Sequence, residues 1–115
     1  MKLVICEKPS VAKAVASALG VTSRADGCFE GNGLIVSWCV GHLVSPMDAA
    51  GYDLGYKKWK YDDLPILPEP FRYVLAKGKE DAFQNLKHLM EREDVTELVN
   101  ACDAGREGEL IFRLV

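Results

Sequence analysis

Lys2-Leu3-Val4-Ile5-Cys6-Glu7-Lys8-Pro9-Ser10 opens the chain and decides its fold class. Lys2–Cys6 is a nearly continuous apolar run, the pattern of a strand buried on both faces of a parallel sheet. Glu7-Lys8 breaks it, and Pro9 stands where the first turn of a helix tolerates a missing N–H. Val11, Val15, Ala18 and Leu19 then recur at helical spacing, and Gly20 supplies a stop. The segment reads as strand, turn and helix.

Outward from that unit the same alternation continues. Phe29 to Val40 has the form of a β-hairpin, with turn chemistry at Gly31-Asn32-Gly33 and a strong strand pattern over Leu34–Val40. Gly41 to Pro70 holds four of the five prolines and three of the four tyrosines. It reads as a long ordered loop with a helical turn, and loops of that length in a compact domain are usually functional. Phe71–Leu75 suits a strand. Lys79–Arg92 suits a helix with Phe83, Leu86 and Met90 on one face. Leu98–Cys102 suits a further buried strand ending at Asp103, and Glu107 begins another helix. That last pattern reaches Val115 without a cap, glycine or proline stop, so the domain is expected to be truncated at its C-terminal end. Strands alternating with helices imply an α/β fold with a mostly parallel sheet flanked by helices. In such sheets the active crevice lies beyond the carboxyl ends of the strands. Two places qualify: Glu7-Lys8, and the string from Asp103 to Glu109.

Composition narrows the functional classes. The 115 residues suit one domain able to bury a core. A net charge of −3 argues against a free-standing basic nucleic-acid-binding module, though not against one that holds a cation. Cys6, Cys28, Cys39 and Cys102 form no C-x-x-C pair, which argues against a zinc ribbon and for reduced core thiols of a cytoplasmic protein. Met1–Cys6 runs straight into two charges, unlike a secretory signal. No apolar stretch approaches the roughly 20 residues needed to span a membrane.

The two strand ends share a pattern of apolar residue, cysteine and acid: Ile5-Cys6-Glu7 and Ala101-Cys102-Asp103. If the strands are neighbours, their carboxylates meet. Two unit charges ~4 Å apart repel by about 4 kcal/mol at an effective dielectric of 20, and Glu107 adds to that. Such a cluster calls for a proton or a cation, and oxygen donors favour Mg²⁺ over zinc. Equally, acids are common at strand ends and in the first turn of helices, where they suit the helix dipole. Asp103-Ala104-Gly105-Arg106-Glu107-Gly108-Glu109, directly after a strand, moves the balance towards a metal site.

Glu7-Lys8-Pro9-Ser10 after an N-terminal strand, followed later by Asp103-x-x-x-Glu107-Gly108-Glu109, resembles the toprim domain of type IA DNA topoisomerases. Leu3–Leu19, Gly41-His42-Leu43, Trp59 through Pro68, and Ala101–Leu110 resemble the topoisomerase III branch in particular. The resemblance implies a toprim, Rossmann-like fold over residues 1–115, with a β-hairpin and a long loop insertion. It implies an enzyme, an isomerase, that cleaves and reseals single-stranded DNA through a covalent phosphotyrosine. None of Tyr52, Tyr56, Tyr61 and Tyr73 matches the family's nucleophile segment, so the tyrosine-bearing and gate domains are expected elsewhere in a longer, nucleoid-associated protein, and residues 1–115 alone are expected to be inactive. Glu7 would act at the scissile phosphate as proton carrier or metal ligand, Lys8 would stabilise phosphate charge, and Asp103 and Glu107 would hold Mg²⁺ with Glu7. Arg106 would contact phosphate or hold the acids, unless it serves only a surface salt bridge. Trp59 would stack on a base or sugar while Lys60 and its neighbours approach phosphates, or would anchor the loop while the lysines face solvent. His42 suits a metal ligand, an acid, or a structural loop histidine. The family pattern Asp-x-Asp-x-Glu has Gly105 at its second acid here. That departure bears on metal number and affinity, and Gly105 would suit a turn with positive φ. Toprim nucleases, primases and non-catalytic phosphate-binding domains are the alternatives.

Overall fold

The structure is a computed structural model that describes residues 1–58, 60–67, 70 and 72–115. Its elements run β1 (Lys2–Cys6), α1 (Pro9–Ala18), β2 (Ser23–Ala25), β3 (Cys28–Gly31), β4 (Leu34–Trp38), β5 (Val44–Pro46), α2 (Ala49–Tyr52), β6 (Tyr73–Leu75), α3 (Glu80–Met90), β7 (Glu97–Ala101) and α4 (Arg106–Leu114). The main sheet has the order β2-β3-β4-β1-β7. β4, β1 and β7 are parallel, and β3 and β2 continue the sheet antiparallel beyond β4. The expected α/β architecture with parallel strands at its centre is therefore present.

Helices cover both faces. Leu3, Ile5 and Ile35 pack with Leu86 and Leu89 of α3 and Ile111 of α4. On the other face, Val4, Cys6 and Val36 pack with Ala12 and Ala16 of α1. The alternation of β1 side chains between these two cores follows from the two-residue period of a strand. α1 takes the chain from β1 to β4 over one face. α3 takes it from β4 back past β1 to β7 over the other, which gives both crossovers the same hand. β1 is thus the strand at which the winding reverses.

The hairpin forms as its sequence dictates. Asn32 (φ 51°) and Gly33 (φ 75°) both take left-handed conformations, as a two-residue turn matching strand twist requires. β4 ends at Trp38 rather than Val40. β2 was not expected; its three residues are all exposed and carry no apolar alternation. The Asp26-Gly27 pair that joins it to β3, with Gly27 at φ 71°, is its one sequence signal. The long loop holds more order than a single helical turn: β5 pairs with β6 in a separate antiparallel ribbon, and α2 and two short 3-10 segments lie between them.

Three further expectations need correction. In α1 the buried stripe is Ala12 and Ala16 flanked by Val11 and Val15, whereas Leu19 is exposed because the helix has ended by then. β7 is not a buried strand. Among the described residues it has a neighbour on one side alone, and its residues are exposed up to Ala101. Among the thiols, Cys6, Cys28 and Cys39 are buried, but Cys102 just past β7 is half-exposed; all four are free.

Candidate metal centre

The parallel strands β1, β4 and β7 end at one edge of the sheet. Leaving β1 the chain turns into α1 on one face, and leaving β7 it turns into α4 on the other. Neighbouring strands whose helices depart to opposite faces open a crevice between their carboxyl ends. Here that crevice lies between Glu7 and Asp103. The strands are adjacent and parallel as expected, but Cys6 pairs with Ala101, not with Cys102. Asp103 therefore stands one residue further beyond its strand than Glu7 does.

Glu7 is half-buried, and its Oε2 is fully shielded from solvent with no hydrogen-bond partner among the described residues. A buried carboxylate oxygen left without a donor is costly and calls for a cation or proton. Lys8, the residue preceding helix α1, is exposed, and its carbonyl accepts from the Ala12 N–H at 3.0 Å. Asp103, Arg106 and Glu107 are also exposed. The Glu107 Oε1 accepts a hydrogen bond from His42 Nε2 at 3.1 Å. Glu109 is differently employed: its Oε2 accepts from Asn100 and its Oε1 from Arg113, one turn along α4. Lys60 lies exposed at the start of a 3-10 segment in the long loop, and Trp59 falls outside the described residues.

Beneath the carboxylates lie three thiols. Burial pushes Cys39 up to about 12, with Cys102, Cys6 and Glu7 adding to the effect. Burial likewise raises Cys6 to about 11, with Cys102 adding. Cys102 is raised by burial first and then by the charges of Glu7, Asp103 and Glu109. The Cys102 thiol thus feels both strand-end acids at once. Thiols held protonated are poor metal ligands and poor nucleophiles, so the donors the crevice offers are hard oxygens.

Two glycines shape the second strand end. Gly105 has φ −161° and ψ 175°, extended backbone rather than the expected positive φ, and a Cβ there would meet open space. The backbone at this position thus has no need of glycine. Gly108 is the opposite case. A Cβ there would run into the Asp103 carbonyl and come within 2.9 Å of the Asp103 nitrogen. The absence of a side chain at Gly108 lets the Asp103 turn lie against the first turn of α4.

Among the described residues no group of three or more histidine, cysteine, aspartate or glutamate side chains could hold a metal ion. Mg²⁺ commonly takes only one or two carboxylates and completes its shell with waters and substrate phosphates. The buried, unpartnered Glu7 Oε2 fits the same ion.

A largely parallel sheet wound about β1, with helices on both faces, defines a Rossmann-like α/β domain. The toprim domain profile matches residues 2–115, and the chain belongs to the toprim domain family. It is 46% identical over 99% of its length to a protein named DNA topoisomerase 3 from Shouchella clausii, of which it spans 16%. It is 44% identical over 98% of its length to the DNA topoisomerase 3 of Bacillus thuringiensis, and 43% identical over 98% to that of Bacillus licheniformis, again spanning 16% of each. Among the described residues no helix is long and apolar enough to cross a membrane.

Proposed function

We propose that residues 1–115 are the magnesium-binding toprim portion of a DNA topoisomerase of the topoisomerase 3 kind. The whole protein would cleave and reseal single-stranded DNA through a tyrosine outside these residues, at the bacterial nucleoid. The relatives' name supports the enzyme class. The observation that carries the metal reading is the half-buried Glu7, with an unpartnered oxygen, at the switch point beside Asp103.

In this reading Glu7, Asp103 and Glu107 would hold Mg²⁺, which would supply positive charge towards a bound phosphate. Glu7, the most enclosed of the three, would act at the scissile phosphate either as proton carrier for the leaving 3′-oxygen or as metal ligand. Lys8 and the open N–H groups at the start of α1 suit a phosphate, since a helix N-terminus attracts anions. Arg106 is exposed and opens α4, and it offers a second cationic contact for the same backbone. Trp59 and Lys60 serve as a stacking and phosphate-binding element on the long loop. Residues 1–115 supply the charge-stabilising half of the reaction and not the nucleophile.

Plasmid relaxation by the longer protein tests this. Magnesium-dependent relaxation is expected, falling by at least about 100-fold with Glu7→Gln, in line with loss of a positioned acid–base group. Residues 1–115 alone are expected to leave the plasmid supercoiled. Full activity with glutamine at position 7, or relaxation by the isolated chain, would contradict the assignment.

A further inference from the structure

The half-buried Lys79 stands where the long loop returns to the core, just before α3. Its ammonium donates to the His42 carbonyl at 3.0 Å. Among the described residues it forms no ion pair with a carboxylate. A sheltered cation that holds a main-chain oxygen instead of an acid fixes backbone.

That backbone leads to Glu7. His42 follows Gly41, whose N–H donates to the Glu7 carbonyl at 3.3 Å, and the Cys39 N–H donates to the Cys6 carbonyl at 2.8 Å. The chain leaving β4 therefore stays tied to the end of β1 beyond the last paired residues, Cys6 and Trp38. Gly41 makes its bond at φ +65°, a conformation that glycine takes without steric cost. A Cβ at Gly41 would stand 3.6 Å from Lys79 Nζ, so the ammonium lies against this turn. Further along, the Leu43 carbonyl accepts from the Ala76 N–H at 2.7 Å, and the Ala76 carbonyl accepts from the Lys79 N–H at 3.2 Å. The Ala76–Lys79 turn thus grips the Gly41–Leu43 segment through both main chain and side chain.

We infer that Lys79 is a positioning residue: it clamps the Gly41-His42 turn onto the end of β1 and so fixes the main chain from which Glu7 enters the crevice. The inference rests on the role proposed above for Glu7. A charged donor on a carbonyl makes a stronger bond than a neutral one. A displacement of about 1 Å at a reacting group can lower a rate by about 100-fold, even when its cause lies away from the chemistry. Lys79 needs no contact with DNA to act in this way.

Two measurements test it, each on Lys79→Met, which keeps the aliphatic stem, and Lys79→Arg, which keeps a charged donor. In residues 1–115, amide hydrogen exchange followed by NMR should be about tenfold faster at Gly41 in Lys79→Met, while Val4 and Ile5 in the middle of β1 keep their protection. Lys79→Arg should restore most of the protection at Gly41. In the longer protein, Lys79→Met should lower the turnover for plasmid relaxation by about tenfold. Its affinity for a single-stranded oligonucleotide should stay the same, and Lys79→Arg should relax plasmid at near the unmodified rate. Unchanged exchange at Gly41, or equal loss of protection throughout β1, would overturn the clamp. Faster exchange at Gly41 with unaltered turnover would overturn its role at Glu7. A fall in oligonucleotide affinity that accounts for the whole loss of activity would make Lys79 a DNA contact and overturn the positioning role. With Glu7→Gln still impairing relaxation, each of these outcomes removes the Lys79 role alone; an unimpaired Glu7→Gln removes the reading of the site itself.

Discussion

β1 and β7 are neighbours in register, and in sequence they look alike: a short apolar run, a cysteine, an acid. The fold treats them differently. β1 lies between two strands and two helical layers, and its side chains from Leu3 to Cys6 are buried. Among the described residues β7 has a partner on one side alone, and four of its five residues are exposed. The difference extends to the carboxylates beyond them. Glu7 inherits the shelter of its strand and keeps a buried oxygen without a donor, while Asp103 stands in solvent. Similar local patterns thus yield one sheltered acid and one exposed acid. Position in the sheet decides which.

The sharpest way to break this comparison is to truncate the same residue type on both strands. Leu3 and Leu98 face each other across the β1–β7 ladder, with 0% and 48% exposure. Leu3→Ala should destabilise by about 4 kcal/mol, as a fully buried leucine leaves a cavity, and Leu98→Ala by less than about 1 kcal/mol. Urea denaturation of both variants decides it; equal losses would mean that β7 is covered in solution.

The next effect separates the two glycines after β7. Gly108→Ala should cost about 3 kcal/mol, because its methyl group meets the Asp103 backbone, which cannot swing aside as a side chain could. Gly105→Asp should leave the metal-free melting temperature within about 2 °C, as the gain from an acidic helix cap offsets repulsion from neighbouring acids. In the same variant Mg²⁺ affinity should rise by about fivefold through an added charged ligand. Thermal melts and Mg²⁺ titration of the pair check both. An unaltered affinity would place position 105 outside the metal site.

The smallest effect concerns the thiols under the crevice. Cys39 is held from the usual 9.0 up to about 12 mainly by burial. Between those values the unfolded chain releases the thiol proton and the folded chain keeps it. Stability therefore falls as pH rises from about 9 to 12, and is unaffected by this group below that window. Cys39→Ala should make the decline shallower, whereas alanine at the half-exposed Cys102 should change it less. Melting curves taken across that range would show whether the order holds.

Much of this was readable from the chain because it was local. β1 and α1 follow from an apolar run, a proline and helical spacing, and the β3–β4 hairpin from Asn32-Gly33. The crevice at Glu7 and Asp103 follows from where strands end. Other features depend on neighbours distant in sequence. Leu98-Val99 reads as a buried strand, and nothing within it reveals that β7 lies at the sheet edge. β2 and β5 are three-residue strands with no buried residue, whose partners define them, so no periodicity marks them, whereas β6 falls within the strand expected near Phe71–Leu75. Gly105 resembles a glycine required by its backbone, yet its φ is ordinary. The link from His42 to Glu107 spans 65 residues and obeys no spacing rule.

The Asn32-Gly33 turn carries a consequence for the ageing of the protein. Asn32 Nδ2 donates to the Gly20 carbonyl at 3.2 Å, so the hairpin tip is fastened to the end of α1 by one exposed amide. Hydrolysis of that amide to a carboxylate would replace the donor with an acceptor facing another acceptor. Water would be taken up and ammonia released, the turn would lose its tether, and the chain would gain a negative charge. A stored sample would then drift towards lower isoelectric point, with the hairpin tip loosening from α1 while the crevice at the far end of the same strands stays intact.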